Sequence, residues 1–397
     1  MKQINVSSKI VLAIFMIGTF SVGMTEYVVT GLLTQFANDL DVDVSTTGLL
    51  LSVYAISVAV FGPILRMVTL KFSPKPLLVG LMALFVISNI IAATAPSFEV
   101  LLLSRLLSAA MHAPFFGLCM AIAVNISAPH KRTGAIAAVQ GGLTIAIMLG
   151  VPFGSFLGGM LDWRLVFWFM VILGIITLTA LVIVTPNQET TDVPKLKKEL
   201  KIFRNKNVLM VIFIIVFGFS GVFTAYTFME PMIREFTGFG VTGITATLFC
   251  FGVGSVIGNF ASGKIQEARL TEYLMLALAS LAVVLLIFAF TVQFAALALI
   301  ASFLFGAGTF GTSPILNSKI ILAATEAPLL SGTIAASVFN LANFIGATLG
   351  TVLLKNGFSY VMITVIAAGI IGLGFILAIV THLVEDKEVF RVVRSDS

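Results

Sequence analysis

Two charges in this 397-residue chain stand where hydrocarbon is expected: Glu26 is the acid deep within one long apolar run, and Arg105 is the base deep within another. Counted from the same ends of their runs, Glu26 lies eight residues down and Arg105 seven. At helical rise that puts both roughly 10–12 Å below one membrane surface. A charge in hydrocarbon costs at least about 2.5–3.5 kcal/mol, so each must face protein, water or a partner. A pair, or a shared polar network across the two helices, could take up and release a proton, because burial disfavours the carboxylate and a nearby guanidinium favours it. A structural ion pair, or an arginine satisfied by backbone carbonyls, explains the same residues.

Helical spacing extends the polar faces. Thr19, Gly23, Glu26 and Thr30 follow one another on the first run, and Arg105, Ser108, His112, Phe115 and Cys119 on the fourth. His112 could relay a proton or touch a substrate, with a hydrogen-bonded packing histidine as the alternative. On the seventh run Phe219, Phe223, Tyr226 and Glu230 form a stripe ending at Pro231. It reads either as packing or as the lining of an internal cavity with an acid at its mouth. Gln140, Thr144, Asn340 and Asn343 are the few hydrogen-bonding side chains placed to meet a ligand between the runs.

Other chemistries fit poorly. Gly258-Asn-Phe-Ala-Ser-Gly263-Lys264-Ile265 nearly spells a phosphate loop, but it lacks the Ser or Thr that would hold magnesium and ends a membrane helix. Ser108 and His112 are one turn apart with no orienting acid or oxyanion hole, which argues against an intramembrane hydrolase. His112, His130 and His382 are scattered, and Cys119 and Cys250 lie in different spans, so neither a metal site nor a disulfide framework is expected. No cofactor is implied.

These residues need elements to hold them. With 59% hydrophobic and 10% charged residues, the chain falls into about twelve continuous apolar runs. Only helices and closed barrels satisfy their backbone in hydrocarbon, and continuous runs exclude the alternation of barrel strands. An all-α membrane protein results, with spans expected near 10–34, 46–68, 76–95, 98–122, 134–160, 164–184, 208–230, 241–263, 272–291, 293–317, 329–353 and 358–383. With both termini in the cytoplasm, nineteen of the 23 Lys and Arg residues fall inside; only Arg164, Arg234 and Lys355 fall outside, and Arg105 lies in a span. That asymmetry obeys the positive-inside rule, so the net charge of +5 orients the chain and needs no nucleic acid. The first run reaches Glu26 without a small-residue cleavage site and reads as a retained helix.

The longest polar insert, 185–207, carries Pro186, Pro194 and a lysine-rich stretch, and it divides a six-helix half, 1–184, from a second half, 208–397, with a short tail. Gln140 to Gly150 in span five corresponds to Asn340 to Gly350 in span eleven at an offset of about 200, and Gly62 to Gly263 at a similar one. Such a parallel duplication suggests two pseudo-symmetric halves around a central cavity. Small residues recur at Gly150, Gly154 and Gly158, at Gly254 and Gly258, and at Gly346 and Gly350, where helices should pack closely. Gly154 should meet the backbone of another helix, and Pro152 should weaken span five within its glycine run.

The run Gly142-Leu-Thr-Ile-Ala-Ile-Met-Leu-Gly150-Val-Pro152-Phe-Gly154-Ser-Phe-Leu-Gly158-Gly159 resembles the span-five antiporter motif of the major facilitators. Arg105-Leu-Leu-Ser-Ala109 resembles their R-x-x-x-G motif, with alanine in place of glycine. Together with Thr25-Glu26-Tyr27, His112-Ala-Pro-Phe-Phe-Gly117, Asp162-Trp163-Arg164 and Asn340-Leu-Ala-Asn343, the whole chain is similar to the twelve-span drug:proton antiporters, especially their arabinose-efflux and chloramphenicol-exporter branch. The resemblance implies a major-facilitator fold in a bacterial cytoplasmic membrane. It implies proton-driven export of a small organic molecule, with Glu26 and Arg105 matching the family's membrane acid and motif arginine; His112, from its place on the Arg105 face, completes the proton-coupling candidates. One departure is clear: the loop after span two usually reads G-x-x-x-D-R-x-G-R-K, but here Gly62-Pro63-Ile64-Leu65 leads straight to Arg66 and then Lys71-Phe-Ser-Pro-Lys75, without the acid. The corresponding loop of the second half, ending Gln266-Glu267-Ala268-Arg269, keeps one.

The expected partners are therefore a small organic substrate, protons and the lipid bilayer, with no oligomer required. Thr30, Phe115, Gln140 and Thr144 are candidate substrate contacts from the first half. Phe223, Tyr226, Glu230, Asn340 and Asn343 are those from the second. The rival reading is an exporter or facilitator of sugars or nucleosides, against which the scarcity of hydrogen-bonding side chains counts. A receptor or membrane enzyme is the remote one.

Overall fold

The computed structural model describes residues 8–69, 72–128, 131–186, 205–265, 269–323 and 328–395. Helix α1 (Ser8–Tyr27) passes through a single 3-10 turn, Val28–Gly31, into the short α2 (Leu33–Asp39). Then follow α3 (Val44–Thr47), α4 (Leu49–Thr69), α5 (Pro74–Ala93), α6 (Phe98–Asn125) and α7 (Arg132–Ile145). A π turn, Ala146–Gly150, joins α7 to α8 (Val151–Met160), and α9 (Trp163–Val184) closes this part. Beyond it lie α10 (Lys206–Tyr226), α11 (Met229–Thr237), α12 (Val241–Ser262), α13 (Leu270–Thr291), α14 (Ala295–Ala323), α15 (Pro328–Lys355) and α16 (Tyr360–Ser395). Twelve stretches among the described residues are long and apolar enough to cross a bilayer, one for each expected span. Their outer faces are apolar as lipid requires: Phe260, Leu276 and Phe290 are 73, 65 and 64% exposed.

Two large buried clusters, with a small third of Tyr54, Val58 and Ala109, form the interior. One draws on residues between Val11 and Leu181, the other on residues between Val208 and Ala378. The exceptions mark the seam: Ile147 and Val151 belong to the second cluster, Phe228 and Ala347 to the first. Across the seam α4 runs along α15, and α8 with its π turn runs along α12. Glycine makes this approach possible, since a Cβ on Gly252 would stand 2.5 Å from the Met148 Cα, and one on Gly159 would stand 2.8 Å from Val241 Cγ1.

The span-five glycines face α1 and its 3-10 turn instead. Met24, Val28 and Leu32, each four residues apart, lie against Gly150, Gly154 and Gly158 as a ridge in a groove. The expectation that Gly154 meets another backbone is corrected here, because the Val28 side chain occupies the place its Cβ would take. Backbone contact occurs three turns earlier, where a Cβ on Gly142 would overlap the Met16 carbonyl and stand 2.8 Å from the Phe20 nitrogen. Thr19 Oγ1 donates to the Val139 carbonyl at 2.7 Å, and Ser155 Oγ to the Gly31 carbonyl at 3.0 Å, so α1 and span five are tied at both ends. Pro152 sits at the start of α8, and the irregularity it imposes falls in the preceding π turn, one turn before the glycine run it was expected to weaken. Without an N–H, proline cannot donate to the carbonyl of Met148, and the wider turn accommodates that loss.

A correction also concerns Glu230. Span seven ends at Tyr226, and Glu230 begins α11 at the mouth of the bundle, fully buried. Arg234 binds its Oε1 through Nη2 and Nε, each at 2.7 Å, and Thr34 Oγ1 of α2 donates to Oε2 at 2.7 Å. Its oxygens are occupied by protein groups, so it does not face a ligand; it fastens α11 to α2 across the seam. On the same rim Asp39 accepts from Trp163 Nε1 at 3.1 Å and Arg164 Nη1 at 2.7 Å, and Arg164 Nη2 donates to the Ala95 carbonyl at 3.1 Å. The Arg66 side chain, Lys71, His130, residues 266–268 and residues 187–204 of the 185–207 insert lie outside the described residues.

Two stability tests follow. Gly154→Leu forces a side chain into the space of Val28 and should lose about 3 kcal/mol or more, whereas Gly141→Ala, with open space at its Cβ, should change stability by less than about 1 kcal/mol. Thermal midpoints of the purified variants read the contrast, and equal midpoints would refute the ridge-in-groove contact. Arg234→Ala leaves the Glu230 carboxylate buried and unpaired, a loss of about 3–5 kcal/mol. Adding Glu230→Gln to Arg234→Ala should restore more than half of that loss in a double-mutant cycle.

Candidate functional site

Glu26 lies in the last turn of α1, just before the 3-10 turn redirects the chain, and α4 and α6 bring Tyr54, Arg105 and His112 to it. Glu26 Oε2 is 3.7 Å from His112 Nε2, with side-chain exposures of 10 and 11%. The other imidazole nitrogen, Nδ1, is 2.9 Å from the Tyr54 hydroxyl. Arg105 Cζ stands 4.3 Å above the Tyr54 ring, a cation–π contact in a dry site.

Arg105 is 1% exposed and does not pair directly with the Glu26 carboxylate. Its Nη2 donates to the Glu26 backbone carbonyl at 3.5 Å, and its Nε is buried without a hydrogen-bond partner. The direct pair is absent, and the arginine bound to a backbone carbonyl, given above as the structural alternative, is the contact Arg105 makes with α1. The cluster as a whole spans α1, α4 and α6, with the arginine held by a carbonyl and a ring face.

Tyr54 was not singled out from sequence. The available signal was a lone tyrosine midway along an apolar span, whose hydroxyl must find a partner when buried. Phe115 is corrected: it is fully buried, and its ring fills the space beside Gly18 near Thr177. The neighbouring Phe116 instead stacks on His112, centroids 5.0 Å apart. The helical face assigned to Phe115 was one residue out, because a side chain's direction turns by about 100° per position.

Opposite Glu26, the α10 stripe meets α1 across the seam. Tyr27 lies 6.4 Å from Phe223 and 6.5 Å from Tyr226 by ring centroids, and Thr30 Oγ1 is 3.3 Å from the Tyr226 hydroxyl. Tyr226 stacks on Phe251 at 4.7 Å, and Phe219 meets Phe339 edge-on at 4.9 Å. On α15, Asn340 donates Nδ2 to the Ala336 carbonyl at 3.0 Å, and the Oδ1 atoms of Asn340 and Asn343 are buried without partners. Gln140 is exposed on α7, and Thr144 bonds back to its carbonyl at 3.4 Å. The structure thus gathers Glu26, Tyr54, Arg105 and His112 in one cluster and Thr30, Phe223 and Tyr226 in an adjoining wall. Phe115 and Glu230 belong to neither.

Comparison with known proteins agrees with this architecture. The sequence pattern of the Major Facilitator Superfamily matches residues 15–346. The "Uncharacterized MFS-type transporter YfhI" of Bacillus subtilis is 42% identical over 387 residues, covering 98% of each chain. The "Inner membrane transport protein YdhP" of Escherichia coli is 34% identical over 361 residues, covering 91% of this chain and 93% of that one. Among solved structures, the nucleoside transporter NupG superposes with a TM-score of 0.77 at 12% identity, over 94% of this chain and 99% of that one. Twelve apolar helices, a largely buried charged cluster among them and a sequence match along most of the length have one explanation: the chain belongs to the Major Facilitator Superfamily and is a multi-pass membrane transporter.

Proposed function

We propose that this transporter exports small, partly apolar organic molecules in exchange for protons, by rocking residues 1–184 against residues 208–397 around a central site. The observation that carries this reading is the Glu26 cluster: a nearly buried carboxyl next to an imidazole, with a guanidinium bound to its own backbone carbonyl. Such a carboxyl responds strongly to small changes in surroundings, because desolvation and nearby charge act on it in opposite directions. Moving the second half relative to the first changes how much of Glu26 meets water, and so whether it holds a proton.

The aromatic wall of Tyr27, Phe223 and Tyr226 next to Glu26 supports a flat or apolar substrate, which can stack and needs few hydrogen bonds. Each pH unit of gradient supplies about 1.4 kcal/mol per proton, and each 100 mV of potential about 2.3 kcal/mol. One or two protons then suffice for substantial accumulation. The distribution of basic residues supports both termini in the cytoplasm of a bacterial cell, and with that orientation the Glu230 and Thr34 rim would face outward. A second reading, export of sugars or nucleosides, is favoured by the unpaired Oδ1 atoms of Asn340 and Asn343, which could accept from a hydroxyl-rich solute.

Glu26→Gln keeps hydrogen bonding but cannot titrate, so it should abolish uphill export in proteoliposomes carrying a proton gradient while the protein remains folded. Undiminished accumulation by that variant would remove Glu26 from the coupling step. Running hydrophobic dyes and sugars in the same vesicles separates the two substrate readings. Arg105→Ala should impair export more than Arg105→Lys, and its substrate-induced proton release should move to more alkaline pH because a positive charge has left the site. Unchanged proton release would mean that Arg105 does not act on Glu26.

A further inference from the structure

Tyr54 is the member of the cluster that the coupling scheme leaves without a task. We propose that Tyr54 is a positioning residue that fixes the His112 tautomer, so that a neutral imidazole donates its Nε2–H toward Glu26 and Glu26 alone is left to exchange the proton. This deepens the reading of Glu26 as the coupling acid and rests on it.

The argument is one of matching donors to acceptors. The Tyr54 hydroxyl and His112 Nδ1 are 2.9 Å apart, and a neutral imidazole has one N–H and one lone pair. If Tyr54 donates, Nδ1 is the acceptor and the ring proton sits on Nε2, facing Glu26 Oε2 at 3.7 Å. The Tyr54 hydroxyl then has its acceptor, and the Nε2–H faces the carboxylate at ion-pair distance, longer than a direct hydrogen bond. If Nδ1 donates instead, the Nε2 lone pair faces a carboxylate oxygen, and the Tyr54 hydroxyl hydrogen, on a side chain 2% exposed, loses its acceptor. Buried donors without acceptors are disfavoured, so the first arrangement wins.

The surroundings hold the pair in place. Arg105 lies against the Tyr54 ring and Phe116 stacks on His112, so neither ring is free to turn away. The charged and titratable groups around the imidazole are Glu26 and Tyr27 from α1, Tyr54 from α4 and Arg105 from α6 itself. A second proton on His112 would have to enter at Nδ1, where the Tyr54 hydrogen already sits. His112 is therefore held neutral as a donor that orients Glu26, and it does not relay the proton.

Nitrogen-15 NMR of histidine-labelled protein in lipid nanodiscs tests this without any transport measurement, because protonated and unprotonated ring nitrogens resonate in separate ranges. The His112 signals are identified by their loss in His112→Gln, which leaves His130 and His382 in place. Wild type should show Nε2 protonated and Nδ1 bare. Tyr54→Phe keeps the ring beneath Arg105 and removes only the hydroxyl, so the preference for that tautomer should fall about tenfold, the equivalent of one hydrogen bond. A wild-type His112 protonated at Nδ1, or at both nitrogens at neutral pH, would overturn the proposal, and so would an unchanged ratio in Tyr54→Phe. If Tyr54→Phe fails to fold, the wild-type spectrum still decides by itself. Parallel export assays keep the readings apart: loss of proton coupling to Glu26 with the tautomer as expected would defeat the transport mechanism and leave the Tyr54 assignment standing.

Discussion

Hydrocarbon offers no partner to a polar group, and the arrangement of this transporter depends on that constraint. Hydroxyls within the spans turn back onto carbonyls three or four residues earlier, as Ser21 does to Ile17 at 2.9 Å and Ser302 to Ala298 at 2.7 Å. Some of these groups also reach a neighbouring helix and become cross-links, Thr19 and Thr224 while keeping a bond to their own. Thr19 reaches Val139, Thr224 reaches the Gly346 carbonyl at 3.2 Å, and Arg105 reaches the carbonyl of Glu26. The same shortage of partners concentrates charge: Glu26, Arg105 and His112 sit together because each reduces the others' need for water.

The constraint also divides the molecule into tight and adjustable contacts. Lipid is as apolar as leucine, so helices associate through close packing, and glycine supplies it. Backbone contact binds α12 to α14 through Gly254, Gly258 and Gly306, and α10 to α15 through Gly346, all within the second cluster. Across the seam backbone contact recurs at Gly252 against Met148, beside the side-chain contacts of Gly159 with Val241, Gly48 with Thr351 and Phe228, Tyr27 with Phe223 and Tyr226, and the Glu230–Thr34 hydrogen bond at the mouth. Arg234 shares a helix with Glu230, so opening that mouth would break the bond to Thr34 while the carboxylate keeps its counter-charge. Under the proposed rocking motion, parting at this rim would not strand a bare ion.

Helix α1 is where these features meet. One side carries the Met24, Val28 and Leu32 ridge into the span-five glycines, Tyr27 and Thr30 meet α10 at the seam, and Glu26 turns to His112 on α6. A shift of span five along that ridge would move Glu26 relative to the aromatic wall on α10. Close packing thus links the span-five glycines mechanically to the charged cluster.

The amino-acid sequence by itself determined the solvent, the number of spans and the depth of the buried charges, because length, hydropathy and charge placement respond only to the bilayer and the rise of a helix. It also marked Glu26, Arg105 and His112 as one neighbourhood, since a charge in hydrocarbon must have company. It could not decide which atoms meet. Arg105 was free to bind a carboxylate or a carbonyl, and only the crossing of α1, α4 and α6 placed it on the Glu26 backbone and over Tyr54. Phe115 and Phe116 are alike in composition, and the rotation of α6 chose which one touches His112. Glu230 read as the end of a stripe until α10 stopped at Tyr226, which gave the acid to Arg234 and Thr34. Periodicity along one helix fixes which residues share a face; what that face meets is set by the angle and register of neighbouring helices, and those arise only when all twelve spans pack together.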